Sequence, residues 1–129
     1  MSSQSKIIIL LCLLDYYETT HYIFVYGWIP CVQKRDGSLS HPSDWHEATS
    51  AEWHRARWIN GMEAVQPCTE DKTILCGHWH YSYGHSRYEH KGLEFGPDAD
   101  FSLYYGPGVI ALDAYTAFSR KINILTIDD

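Results

Sequence analysis

The chain has 129 residues, of which 45% are hydrophobic, 20% charged and 15% aromatic, with a net charge of -6. That length suits one domain around a single core, and the composition is globular rather than disordered. The acidic balance and the scatter of ten Lys and Arg argue against a nucleic-acid surface, which needs clustered cations to replace the counterions of phosphate.

Residues 7–14 are apolar on every face, so they read as a buried core element, helix or strand. The run is far short of a membrane span and lacks the small-x-small cleavage site of a secretory signal. The expectation is therefore a cytoplasmic chain with no membrane partner. Cys12, Cys31, Cys68 and Cys76 show no CxxC spacing. They read as thiols in a reducing compartment, with two disulfides as the open alternative.

Tyr22-Ile23-Phe24-Val25-Tyr26 has the β-branched and aromatic character of a strand and is stopped by Gly27. Residues 34–43 hold Asp36-Gly37 and His41-Pro42 and read as a solvated loop. Asp44 with Glu47 three residues on has capping-box spacing. Trp45, Ala48, Ala51, Ala56, Ile59 and Met62 then recur at helical steps, with Trp53 and Trp58 widening the apolar face. This predicts one Trp-rich helix ending near Asn60-Gly61, followed by a turn over 67–72. Thr73-Ile74-Leu75-Cys76 predicts a buried strand ending at Gly77. Residues 80–107 show no period and read as one long loop, which is usually functional or disordered. Residues 108–112 and 122–127 predict two further strands forming a terminal antiparallel pair. The fold class is α+β: a sheet of four or five strands with the Trp-rich helix packed on it.

Chemistry concentrates at Gly77-His78-Trp79-His80. Half of the chain's eight histidines, His78, His80, His85 and His90, fall between residues 78 and 90. Imidazole is a good ligand for borderline divalent ions, and a loop leaving a strand end lets two His one residue apart converge on adjacent ions. A polar aromatic surface loop is the competing reading. Trp28 and Trp79 read as pocket walls or core, and Asp98 and Asp100 as turn residues or acids behind a ligand. Asp113 reads as an orienter of a ligand His or as a cap for the turn after it.

Thr73–His80 resembles the final metal-binding motif, Gly-His-x-His, of the calcineurin-like metallophosphoesterases, where a strand also precedes it. Tyr22-Ile-Phe-Val-Tyr-Gly-Trp-Ile-Pro resembles the family strand that ends in a metal-binding His followed by Gly or Ala. Val109-Ile-Ala-Leu-Asp-Ala with Lys121-Ile-Asn-Ile-Leu-Thr-Ile resembles its closing hairpin. The arrangement is similar to the serine/threonine phosphatase and diadenosine-tetraphosphatase branch, and it spans most of residues 22–127. The family's Gly-Asp-x-x-Asp and Gly-Asn-His motifs do not occur, and Asp-x-His spacing occurs only as Asp44-Trp45-His46, after the Tyr22 segment rather than ahead of it. Residues 1–129 therefore look like the C-terminal half of such a domain, one half of an αββα sandwich.

The resemblance implies that His78 binds the second metal of a divalent pair (Mn, Fe or Zn) and His80 the first. Tyr26 takes the position of another second-metal ligand; a neutral phenol is a poor substitute for imidazole there, though a tyrosinate binds ferric iron. His85 would lie within reach of the same cleft, where it could meet a phosphate oxygen or the leaving group. In an intact site the metal pair clamps the phosphate of a phosphate ester or phosphoprotein and activates a bridging water. One chain with so few ligands is expected to be incomplete or inactive alone, pairing with a missing N-terminal half. Two readings of other classes stand beside it: a catalytically dead remnant that serves as a binding or self-associating module, and a small protein with a structural zinc on His78, His80, His85 and His90.

Overall fold

The computed structural model describes residues 14–65 and 71–129. The element expected at 7–14 lies outside the described residues except for Leu14, as do Cys12, Cys68 and most of the turn expected at 67–72. Tyr16–Glu18 (β1) and Tyr22–Val25 (β2) form an antiparallel hairpin. Val32–Gln33 (β3) and Leu39–Ser40 (β4) make a separate two-stranded ribbon around Asp36-Gly37. Gly37 sits there at φ 85°, a left-handed conformation that glycine adopts without steric cost.

The single Trp-rich helix expected over 44–60 is broken into pieces. Trp45–Glu47 is one 3₁₀ turn, and Ala48 leaves it with an extended backbone. The capping box forms later: Thr49 Oγ1 accepts the Glu52 N–H at 3.3 Å, and the Glu52 carboxylate accepts the Thr49 N–H at 2.7 Å. It opens Ser50–Ala56 (α1). Asn60 caps an N-terminus instead of closing a helix, since its Oδ1 accepts the Met62 N–H at 3.1 Å and Gly61–Ala64 (α2) follows. The break has a tertiary cause. The Trp28 N–H donates to the Ala56 carbonyl at 3.0 Å, so the chain leaving β2 docks on the last turn of α1. A Cβ at Gly27 would lie 2.4 Å from the Arg57 carbonyl oxygen, a separation only glycine permits.

Thr73–His80 (β5) is longer than the four-residue strand expected. Within the stretch expected as a structureless loop lie Ser82–Tyr88 (α3) and Tyr104–Gly106 (β6). Val109–Asp113 (β7) and a short Thr116–Ser119 (α4) complete the described elements. The terminal hairpin is β6 with β7, turned by Pro107-Gly108 with Gly108 at φ 75°, the Pro-then-Gly order of a type II turn. Residues 122–127 hold no strand, which corrects the expected pairing of 108–112 with 122–127. They still alternate: Asn123, Leu125 and Ile127 are half-buried, while Ile122, Ile124 and Thr126 are exposed. Side chains hold this tail. Asn123 donates to the Phe101 carbonyl at 2.8 Å, and the Asp129 carboxylate takes the His21 backbone N–H at 2.7 Å.

The main sheet runs β1-β2-β5-β7-β6, with β2, β5 and β7 parallel and both edges antiparallel. Among the described residues the fold is a mixed sheet with four α-helices. Ile23, Val25, Ile74, Cys76, Val109 and Ala111 share a core with Trp28, Trp45, Trp53, Ala56, Met62 and Val65. Trp28 and Trp45 are only 1% exposed, and each such side chain is worth roughly 1.5–3 kcal/mol when withdrawn from water. On the other sheet face, the paired positions Tyr17, Phe24, Leu75, Ile110 and Tyr105 form one apolar row across all five strands.

Candidate functional site

The parallel β2 and β5 end side by side, and the Gly77 N–H donates to the Tyr26 carbonyl at 2.9 Å. Beyond Cys76 the register of β5 against β7 shifts, resuming at His80 opposite Asp113. His78 lies in that bulge with φ 65°, a left-handed conformation that costs a residue with a Cβ about 1–2 kcal/mol. Bulges re-aim side chains, and here the two histidines meet different neighbours. His78 packs against Tyr26, with ring centroids 5.5 Å apart, and edge-on against Trp58 at 5.1 Å. His80 Nε2 contacts Glu94 Oε1 at 3.1 Å, and its ring lies between Phe95 at 4.9 Å and Tyr115 at 5.3 Å. The structure thus places Tyr26 beside His78 and gives His80 a carboxylate and aromatic walls.

His85 is placed elsewhere. It lies on the buried side of α3 with 4% of its surface exposed. Its Nδ1 contacts Glu89 at 2.6 Å, and its Nε2 lies 2.9 Å from the Ser102 carbonyl and 3.9 Å from Asp100. Both nitrogens face acceptors. The hydrogen bond from His85 outweighs partial burial and holds the Glu89 carboxyl below its usual range. Ser102 Oγ is 3.3 Å from Nε2, so Ser102, His85 and Glu89 look like a nucleophile, base and orienter. The hydrogen bonds run otherwise: the Ser102 hydroxyl donates to Asp100 at 2.6 Å, and Nε2 faces the carbonyl. The serine proton is therefore directed at a carboxylate rather than at the imidazole. The group is a clamp joining α3 to residues 100–102.

The remaining candidates resolve into structural roles. Trp28 is core, and the Trp79 indole N–H donates to the Trp58 carbonyl at 3.3 Å. Asp100 and Asp113 cap turns, each accepting a backbone N–H two residues on, at 2.9 and 2.7 Å. Burial pushes the Cys76 thiol up to about 12, which removes it as a nucleophile. His46 contacts Glu18 at 2.9 Å and stacks on Trp45 at 3.6 Å, and His21 pairs with Asp129.

Metal ligation is tested by whether donors converge. Among the described residues no three or more His, Cys, Asp or Glu side chains are grouped so as to hold an ion, and His78, His80 and His85 each keep separate partners. The described residues alone do not make a metal site. Sequence reading missed Glu94 and Tyr115, which face His80 from distant positions with no fixed spacing. Among the described residues no helix is long and apolar enough to cross a membrane. No protein-family model, curated protein or solved structure matches the chain.

Proposed function

We propose that the chain is the C-terminal part of a calcineurin-like, metal-dependent phosphoesterase. In this reading it offers His78 and His80 to a divalent-metal centre whose other ligands come from a companion segment, and it does not turn over phosphate esters by itself. The reading rests on the contact of Tyr26 with His78 at the ends of adjacent parallel strands. Two side chains in the positions of ligands to one ion must be neighbours, and the parallel pairing of β2 with β5 makes neighbours of these two, 52 positions apart in sequence. The mixed sheet, with Gly77-His78-Trp79-His80 at the end of a central parallel strand, is compatible with half of a layered sandwich.

The test is hydrolysis of p-nitrophenyl phosphate with Mn. The chain alone should be inactive. Supplying a segment that carries the Asp-x-His, Gly-Asp-x-x-Asp and Gly-Asn-His motifs, together with Tyr26→His, should give turnover that chelator abolishes. Turnover by the chain alone would overturn its incompleteness, and an inert complemented pair would overturn the family reading.

One observation favours a second reading, self-association. Ile122 and Ile124 are 77% and 75% exposed on one side of the tail, a cost in water that a second copy would relieve. Light scattering should then show a dimer that Ile122→Lys with Ile124→Lys converts to monomer; a wild-type monomer removes this reading.

A further inference from the structure

The two sides of α3 differ in chemistry. Tyr81, Ser82, Gly84 and His85 are buried. Tyr83, Ser86 and Arg87 recur at i, i+3 and i+4, the spacing of one helical face, and with His90, just past the end of the helix, and Glu94 they line an open cleft of about 400 Å³. Arg87 and His90 are exposed, and among the described residues neither has an ion pair or hydrogen bond. In a chain with a net charge of -6, an exposed guanidinium left without a carboxylate, beside an imidazole, is a local reversal of sign. The carboxylate nearest to hand, Glu89, is already shared by His85 and by Lys91 at 3.5 Å, and Glu94 is engaged by His80.

Two further features shape the cleft. His90 holds φ 56° as the left-handed residue that ends α3, where the Lys91 N–H closes on the His85 carbonyl at 2.9 Å, so its place beside the helix is set by the backbone. Tyr83 is fixed by edge-on contacts with Trp79 at 5.7 Å and Tyr88 at 6.2 Å, so the wall behind Arg87 is rigid.

The geometry points to a binding site for a phosphate-sized oxyanion in this cleft, with the Arg87 guanidinium as the bidentate donor and His90 and the Ser86 hydroxyl completing it. The guanidinium fork matches two oxygens of a phosphoryl group, and charge-assisted hydrogen bonds of this kind are the strong ones. Glu94 limits the charge the cleft accepts. The inference stands apart from the phosphoesterase reading, because none of its donors is His78, His80 or Tyr26. It makes a bulkier phosphomonoester a candidate occupant as well, since the cleft exceeds the size of one phosphate and Tyr83 offers a flat surface to an organic group.

The probes are inorganic phosphate and phenyl phosphate, titrated into the full 129-residue chain in chelator, at constant pH and ionic strength, while the histidine ring protons are followed by NMR. A saturable shift confined to His90 is expected, with a dissociation constant in the millimolar range. Arg87→Gln should weaken binding about tenfold, Arg87→Lys less because the charge remains without the fork, and Glu94→Gln should tighten it several-fold. His78→Ala should leave it unchanged even if no metal-dependent activity is ever found. Tighter binding of phenyl phosphate assigns the site to esters, and equal or weaker binding assigns it to the free ion. A shift that does not saturate, or that is the same in Arg87→Gln, overturns the proposal.

Discussion

His85 is nearly sealed from water and has an acceptor at each ring nitrogen, so its contribution is tied to the charge of its partners. The Glu89 carboxyl is held below its usual range first by the hydrogen bond from His85. A depressed carboxyl contributes stability that is present above its unfolded pKa and is lost as pH falls through the folded value. Glu89→Gln should therefore lower stability by about 1 kcal/mol at pH 7, a hydrogen bond to a charged group discounted for a partly exposed partner. The deficit should begin to shrink below about pH 4 and disappear in stronger acid, below the depressed folded value, where the wild-type carboxyl is protonated too. Urea midpoints at the two pH values measure both parts, and a deficit that persists in acid would mean the side chain acts by packing. His90 gives the opposite sign. At φ 56° with no hydrogen bond to lose, His90→Gly should raise stability by about 1 kcal/mol by relieving left-handed strain. If the cleft on α3 binds oxyanions, the same change removes one of its donors, so gain in stability and loss of binding should appear together.

The helices are where local signals and tertiary structure part company. Within residues 44–56 capping-box spacing occurs twice, at Asp44 with Glu47 and at Thr49 with Glu52, and periodicity alone selects the first because Trp45 and Ala48 extend the apolar series. The structure uses the second, since Ala48 is extended and the Trp45–Glu47 turn stops after three residues. Thr49→Ala should cost about 1 kcal/mol, the usual worth of an N-cap, while Asp44→Ala should change the unfolding midpoint little because its side chain makes no cap hydrogen bond. Equal losses from both would mean that the longer helix forms in solution. Strands fared differently. Tyr22–Val25 and Thr73–His80 were legible because buried parallel strands read as continuous apolar runs. β6 was not, since Tyr104-Tyr105-Gly106 is short and its pairing is specified by the Pro107-Gly108 turn rather than by alternation. The tail at 122–127 keeps a strand's alternation without a strand's partner, so the pattern was real and the pairing inferred from it was not.

At the scale of the whole molecule, the candidate site was legible only as far as it is built from contiguous residues. Gly77-His78-Trp79-His80 is one segment, and the approach of Tyr26 follows once β2 and β5 are set parallel. The surroundings of His80 are assembled from Glu94, Phe95 and Tyr115, whose convergence depends on how α3 and the segments after it pack, and no spacing announces it. What fixes the two layers relative to each other is the junction after β2. Gly27 passes directly over the end of α1, where the Arg57 carbonyl oxygen would be 2.4 Å and the Ala56 carbonyl oxygen 2.7 Å from a Cβ. These are backbone atoms that no rotamer change can move aside. Gly27→Ala must push α1 off the sheet, breaking the Trp28 to Ala56 hydrogen bond and loosening Trp28 and Trp53 in the core. A loss of about 3 kcal/mol is expected, at the upper end for overpacking. Because Tyr26 precedes Gly27, its contact with His78 should loosen as well. Urea unfolding measures the first effect, and nuclear Overhauser contacts between the Tyr26 and His78 rings report the second. A Gly27→Ala protein of unchanged stability would mean that the close approach of β2 to α1 does not hold the layers in register.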